Sequence, residues 1–521
     1  MLFSNIVSVI TLTASIASAA LHSGRNLQYA RNADKLRKIQ QRAAPVKTHD
    51  RRGAARYLTE STAKYSVNGT GIPDVDFDVG ESYAGLMPIS KEANESSQFY
   101  FWFFPSENPA ASDEILIWLN GGPGCSSLEG LLQENGPFLW QYGTLKPVSN
   151  PYTWVNLTNV VWVEQPIGTG FSQGTPTATD ETQVAAQFLG FWENFVDTFA
   201  LRGRKVYITG ESYAGMFVPF ISDAMLNKND TTYFNLEATM LYDPATTSSV
   251  TQAYIPAIQF IDYWAGLHPF NDTYRAFLHN MSDSCGFPAY IDKYLTFPPP
   301  GPFPAQLPGT DVNGFITEDC DISSAIQNEI YLVNPCWNVY QVATTCPLLW
   351  DVLGFPGSQN YLPEGATIYF NRTDVQKAIN APVRNWEQCS DGVLETDNSE
   401  WSGWTVLPGV IERSKRTIIA HGLLDMFYIA NGTLLMIQNM TWNGAQGFTK
   451  KPEESFVVPR YLGEQDPSTL AASGIMGTTH TERSLTWVTI NLAGHMVPQY
   501  APSAAYRHVE FLLGRIDSLS S

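Results

Sequence analysis

Cysteine is scarce in this chain: six occur in 521 residues, and no two stand in a C-x-x-C pair. A zinc ribbon or a thiol-redox centre needs that spacing, so neither is expected. Positive charge is also short, with 31 Lys and Arg against 50 Asp and Glu and a net charge of −19. So acidic a surface repels nucleic acid and anionic membranes, which argues against both as partners. Beyond residue 19 no apolar run reaches the ~20 residues that a membrane span requires. The C-terminal stretch HVEFLLGRIDSLSS has no apolar tail, so no stable membrane anchor is expected. Nothing repeats except one hexapeptide. No motif calls for a metal, a nucleotide or a flavin, and the expected cofactor list is empty.

What is present begins with MLFSNIVSVITLTASIASA, residues 1–19, an apolar run closing on Ala17-Ser18-Ala19. It reads as a secretory signal peptide, although a positive leading segment is missing. Residues 20–52 are polar and basic and end in Arg51-Arg52, as a pro-segment cut after a dibasic pair would. Residues 1–52 hold nine Lys/Arg and two Asp/Glu, a net of +7, so their removal takes the chain from −19 to −26. Such a body stays soluble where carboxylates are partly protonated, which suits an acidic compartment. The basic segment can lie against it during folding. Six cysteines on the secretory route predict three disulfides among Cys125, Cys285, Cys320, Cys336, Cys346 and Cys389. Nine N-x-S/T sequons, at Asn68, Asn94, Asn156, Asn229, Asn271, Asn280, Asn371, Asn431 and Asn439, predict a glycoprotein. The expected location is extracellular, with the vacuole as the alternative, and the expected state is a monomer or homodimer.

Residues 53–521 are long enough for one large domain carrying an insertion. Short apolar runs read as buried strands: QFYFWFF (98–104), EILIWLN (114–120), NVVWVEQ (159–165), KVYIT (205–209), TIIA (417–420) and TWVTIN (486–491). Amphipathic stretches between them, such as ETQVAAQFLGFWENFVDTFAL, read as helices. Alternating strands and helices predict an α/β fold with a mostly parallel central sheet. Residues 246–365 break the rhythm with TFPPPGPFPAQLPGT and four of the six cysteines. They read as a loop-rich, disulfide-stapled cap over one end of the sheet.

The repeated hexapeptide is G-E-S-Y-A-G, at 80–85 and 210–215. Each copy presents a serine two residues after a glycine. Ser212 follows the strand KVYIT and precedes AGMFVPFISDAMLN, which can form a helix. Strand, sharp turn with serine, then helix is the nucleophile elbow of α/β-hydrolases. The small residues Gly210 and Ala214 flank the serine where larger ones would clash. Ser82 follows the acidic DVDFDV and has no helix after it, so it reads as an ordinary serine of a surface or edge hairpin strand.

A serine nucleophile needs a base, and the base an orienting carboxylate. In this fold the chain order is Ser, Asp, His. His495, in TWVTINLAGHMVPQYAP, lies just past a strand and a glycine turn. His421 also follows a strand but precedes Asp425, so order favours His495 as base and Asp425 as its orienter. An oxyanion hole needs two backbone N–H groups. Tyr213, after the serine, offers one, and Gly122, in the glycine-rich turn WLNGGPGCSS (118–127), offers the other.

N-G-G-P-G-C-S-S at 120–127, E-N-G-P at 134–137, Q-P-I-G-T-G-F-S at 165–172, G-E-S-Y-A-G at 210–215 and G-H-M-V-P at 494–498 together resemble the serine carboxypeptidases, of the fungal secreted or vacuolar kind. The resemblance covers nearly all of residues 53–521 and implies the α/β-hydrolase fold. It implies release of single residues from the C-termini of peptides and proteins through an acyl-enzyme. By motif position it implies that Asn120, Gly121, Glu134 and Glu211 hold the substrate's α-carboxylate, and that Tyr213 and Met496 line the substrate pockets. Two glutamates can face a carboxylate only when a proton is shared among them, which predicts activity favoured at acidic pH. The resemblance also implies a Cys125–Cys389 pair and leaves the other four cysteines open among three pairings. Two positions depart from the pattern. Ala420-His421-Gly422-Leu423 stands where the family often has Tyr-Ser/Ala-Gly-Asp, and Tyr428 stands where it often has cysteine, so the nearby pocket differs. Two rival readings remain. An acyltransferase or esterase would share the machinery, and a non-catalytic binding protein would have lost it.

Overall fold

The computed structural model describes residues 55–354, 365–460 and 473–520. The expected signal peptide and pro-segment lie outside the described residues. Eleven strands form one sheet: β1 (Ser66–Val67), β2 (Ser82–Pro88), β3 (Gln98–Phe104), β4 (Glu114–Leu119), β5 (Val160–Glu164), β6 (Lys205–Glu211), β7 (Leu236–Tyr242), β8 (Arg416–Gly422), β9 (Glu454–Val458), β10 (Gly474–Glu482) and β11 (Leu485–Ile490). Their spatial order is β1-β2-β3-β5-β4-β6-β7-β8-β11-β10-β9. The six strands from β5 to β11 in that order run parallel, and antiparallel strands extend both edges. All six apolar runs named above are strands of this sheet.

Those runs are apolar throughout because both faces of the sheet are covered. In β3, Phe99, Phe101 and Phe103 pack on one face while Tyr100, Trp102 and Phe104 pack on the other. The first face is covered by α1 (Glu181–Thr198), through Phe188, Phe191, Trp192 and Phe195, and by α2 (Ala214–Lys228), through Phe217, Val218 and Ile221. Asp180 caps α1, its side chain accepting from Gln183 N–H at 2.9 Å. Ala504, Ala505, Val509 and Leu512 of the helix Pro502–Leu512 join the opposite cluster.

Between β7 and β8 lies a cap with its own core. It is more helical than its proline content predicts: Ala257–Tyr263, Asp272–Ser284, Phe287–Tyr294 and Ile322–Val333 are helices. Leu278, Phe287, Ile291, Ile326 and Ile330 pack together there and against Leu424, Met426 and Leu435 of the body. Helix starts offset the loop-forming composition, since Asn271 and Asp321 each cap one. Cys285–Cys320 and Cys336–Cys346 staple the cap, and Cys125–Cys389 ties the glycine-rich turn to a distant loop. Of the three pairings left open for the cap cysteines, this is the one that joins near neighbours in sequence.

Candidate active site

Ser212 sits between β6 and α2 at φ +59°, the left-handed region that a non-glycine residue enters only under constraint. The constraint is visible in three hydrogen bonds. Its N–H donates to Tyr242 O at 3.0 Å, and its carbonyl accepts from Gly215 N–H and Ala245 N–H, both at 2.9 Å. A methyl group added to Gly210 would stand 2.5 Å from Leu119 O and 2.6 Å from Ala214 Cβ. The small flanks are therefore a packing requirement. Ser82 lies elsewhere, on β2, with three strands between it and β6. It is buried, with Oγ unpartnered, rather than on the surface as its acidic surroundings predict.

Asp425 follows β8 and His495 follows β11, two strands that pair side by side. His495 Nδ1 stands 2.8 Å from Asp425 Oδ2, with both side chains buried. Asp425 is fixed in turn by Phe427 N–H, which donates to Oδ1 at 2.8 Å. The imidazole packs against Tyr340 and Tyr428, with ring centres at 5.0 and 5.9 Å, and its Nε2 is left without a partner. Four of the other five described histidines have polar contacts of their own. His268 Nδ1 meets Trp264 O, His279 meets Asp262, His480 meets Glu482, and Tyr242 OH meets His508 Nδ1.

The glycine-rich turn presses on the elbow. A methyl group on Gly121 would fall 2.4 Å from Tyr213 N and 2.8 Å from Ser212 Cβ. Gly122 has φ +112°, a conformation that favours glycine. Neither the Gly122 nor the Tyr213 N–H is used in the hydrogen bonds of the described chain. Beside this turn three acids converge. Asn120 Nδ2 donates to Glu211 Oε1 at 2.9 Å and lies 3.5 Å from Glu134 Oε1 and 3.5 Å from Glu129 Oε2. Trp118 Nε1 donates to Asn120 Oδ1 at 2.6 Å, which settles the amide's orientation. Burial pushes the Glu134 carboxyl up to about 8, with the nearby Glu129 adding to it. Burial, then the charges of Glu134 and Glu129, hold Glu211 well above the carboxylate range. Both carboxyls are thus held toward the protonated form. Each keeps one buried oxygen, Oε2, free for a ligand.

Tyr213 is half-buried, and its hydroxyl donates to Asp397 Oδ2 at 2.5 Å. Met496 is buried beside His495. A cavity of about 400 Å³, lined by Tyr142, Thr344, Leu349, Asp351 and Tyr500, adjoins the acids, since Gln133 beside Glu134 donates to Asp351 at 2.6 Å. Sequence reasoning missed Glu129, Asp243 and Asp397. Glu129 carries a weak signal, four residues past Cys125 in the glycine-rich turn's own helix. Asp243 stands directly after β7, and Asp397 reaches the site from a loop far along the chain.

The family model for serine carboxypeptidase matches residues 73–514. A probable serine carboxypeptidase of Arthroderma benhamiae is 58% identical over 90% of each chain. Serine-type carboxypeptidase F of Aspergillus niger is 44% identical over the full length of both. A prohormone-processing carboxypeptidase of Saccharomyces cerevisiae shares the fold, at TM-score 0.68 and 23% identity, over 89% of this chain and 99% of its own. The chain belongs to the serine carboxypeptidase family and is a serine-type carboxypeptidase built on the α/β-hydrolase fold.

Proposed function

We propose that Ser212, Asp425 and His495 form the catalytic triad, and that the peptidase works best on the acid side of neutrality. The observation that carries this reading is the meeting, at one end of the sheet, of a strained Ser212 and a buried His495–Asp425 pair 2.8 Å apart. Ser212 Oγ attacks the carbonyl carbon of the last peptide bond while its proton passes to His495 Nε2. The Gly122 and Tyr213 N–H groups receive the oxyanion. The C–N bond then breaks, and His495 gives the proton to the departing amino group. Water, activated by the same imidazole, hydrolyses the acyl-enzyme.

Asn120 Nδ2, the Gly121 N–H, Glu134 and Glu211 hold the substrate's α-carboxylate. Glu211 and Glu134 can do so only while protonated, because three unshared carboxylates would repel. Burial holds Glu134 neutral below about 8 and keeps Glu211 well above the ordinary carboxylate range, so the grip is intact in acid and fails as Glu134 ionises. Tyr213 and Met496 wall the pockets for the substrate's side chains.

The test compares release of the last residue from an N-blocked dipeptide and from its C-terminal amide, at pH 5 and pH 9, with wild type and Ser212→Ala. Faster release from the free acid at pH 5, lost in the variant, is expected. Turnover by Ser212→Ala would overturn the nucleophile. Equal rates on acid and amide at both pH values would overturn the grip.

The remaining expectations belong to the same reading. A signal peptide at 1–19 and a pro-segment at 20–52 precede the catalytic domain at 53–521. The product is a secreted or vacuolar glycoprotein; one relative of 29% identity is a vacuolar serine-type carboxypeptidase of Saccharomyces cerevisiae. Asn68, Asn94, Asn229, Asn271 and Asn280 are exposed. Asn156 and Asn371 turn their amide nitrogens inward, onto Pro151 O and Trp386 O. Glycans are therefore expected on the first group and not on these two.

A further inference from the structure

Asp243 directly follows β7 at φ +41°, next to β8, the strand that leads to Asp425. It is fully buried, and its carboxylate shares a 4.8 Å cluster with Asp425 and His495. Its backbone N–H donates to Ala420 O at 2.9 Å, and its oxygens accept from Gly422 N–H at 3.1 and 3.3 Å. Oδ1 also lies 3.0 Å from His421 Nδ1, off the direction of a ring hydrogen bond. Its titratable neighbours are Glu211 at the end of β6, Tyr242 beside it, His421 on β8, Asp425 after β8 and His495 after β11. None is a lysine or arginine. Glu211, Asp243 and Asp425 thus stand at the carboxyl ends of three adjacent parallel strands, without a cation among them.

Two buried carboxylates in contact cannot both be ionised in such a place. His421 does not relieve them by charging. Burial, and then the nearby His495, push it down to about 3, so it stays neutral. Burial and the charge of Asp425 hold the Asp243 carboxyl well above its usual range. Asp243 therefore keeps its own proton, and the carboxyl within reach to accept it is Asp425.

We propose that Asp243 is a positioning residue of the triad: its protonated carboxyl hydrogen-bonds the Asp425 carboxylate, fixing it opposite His495 and weakening its pull on the imidazolium. A triad that works in acid needs its imidazole free to accept a proton from Ser212. A carboxylate that already accepts a strong hydrogen bond attracts the imidazolium less. This device is separate from the Glu134–Glu211 grip, because it acts whether or not the substrate has a free carboxylate. It rests on the triad reading above.

The experiment follows ester hydrolysis of an N-blocked amino-acid ester against pH. Its C-terminus is masked, so the grip does not contribute. Wild type, Ser212→Ala, Asp243→Asn and Asp243→Ala are compared, each checked by thermal melting. Asp243→Ala is expected to lose about tenfold in kcat with KM little changed. Its acid limb should move to higher pH by half a unit or more. Asp243→Asn, whose amide still donates to Asp425, is expected to restore most of the rate and the wild-type acid limb. A purely structural role would not move the limb. The proposal is overturned if Asp243→Ala keeps the wild-type kcat and limb, or if Asp243→Asn is displaced as far as Asp243→Ala. Where the alanine chain does not fold, Asp243→Leu, similar in shape and without a donor, takes its place in both comparisons. Ester turnover that survives Ser212→Ala would instead overturn the triad reading, and this proposal with it.

Discussion

In the proposed grip, burial lets two acids, Glu134 and Glu211, receive a third. In water both would be ionised at neutral pH and would repel an α-carboxylate. In the protein Glu134 holds its proton to about 8, and burial holds Glu211 well above the ordinary carboxylate range. The sign follows: protonation favours binding, so KM for a free-acid peptide should be flat from acid to about pH 7 and rise above about pH 8. Glu134→Gln keeps a donor that cannot ionise. Its KM should rise less than threefold between pH 6 and pH 9, where the wild-type value rises more. Glu134→Ala leaves Asn120 and Glu211 short of a partner and should raise KM about tenfold to a hundredfold, with kcat within about threefold. Steady-state kinetics on one N-blocked dipeptide settles it. An unchanged KM in Glu134→Ala would remove this residue from the grip.

The elbow is built by strand and helix meeting at very short range, and its tolerance can be tested at that scale. A methyl group on Gly215, in the first turn of α2, would lie 2.5 Å from Ala245 O and 2.7 Å from Ala245 N. These are backbone atoms and cannot rotate away. Gly215→Ala is therefore expected to cost about 1–3 kcal/mol and most of the turnover, read by thermal melting and peptide assay. An active, equally stable variant would show that the loop after β7 can move. The same scale explains what the sequence made legible. Strands such as β3 and β4 were plain because both their faces are buried and no polar residue interrupts them. β10, GIMGTTHTE, was missed because its polar and apolar residues alternate irregularly at the outer part of the sheet. β7, LEATMLY, was missed because Glu237 and Thr239 break its apolar run. The cap helices were hidden by proline and glycine, although their capping residues could have signalled them. At the site, Ser212, Asp425 and His495 were legible because each stands just past a strand in the order this fold uses. Asp243 also stands there, but its partners His421 and Asp425 lie on the far side of the cap insertion. Only the pairing of β7 with β8 brings them together.

Across the whole molecule, buried ionisable groups should set where the protein is most stable. Burial is the leading cause in each of the following shifts. Glu129 and Glu164 are raised to about 7 and Glu134 to about 8, while Glu181, Glu211 and Asp243 are held well above their ordinary values. Each binds its proton more tightly folded than unfolded. The folded state therefore keeps protons that the unfolded chain releases once pH passes about 4.5, and stability falls from there through about 8. Histidine works in the opposite sense. His421 and His508 are lowered to about 3, and His268 is lowered as well. The unfolded chain takes up their protons below about 6.5, so they subtract stability as pH falls toward 3. Exposed acids beside cations, such as Asp113 at Lys205 and Asp374 at Arg372, add a weaker loss below about 4. The acids outnumber the histidines where the two windows overlap, between about 4.5 and 6.5. The net slope is then negative above about 4.5 and positive below it, which places the maximum near pH 4.5 to 5. Self-repulsion adds to the decline above that, because the chain's excess of acidic over basic residues grows in effect as carboxylates ionise. Thermal melting of Ser212→Ala, chosen to avoid self-digestion, should give a midpoint that falls by on the order of 5 °C from pH 5 to pH 8 and also falls from pH 4.5 to pH 3. A midpoint that rises from pH 5 to pH 8 would mean that these acids are ionised in the folded protein, and the account of a protonated Glu134, Glu211 and Asp243 would fall with it.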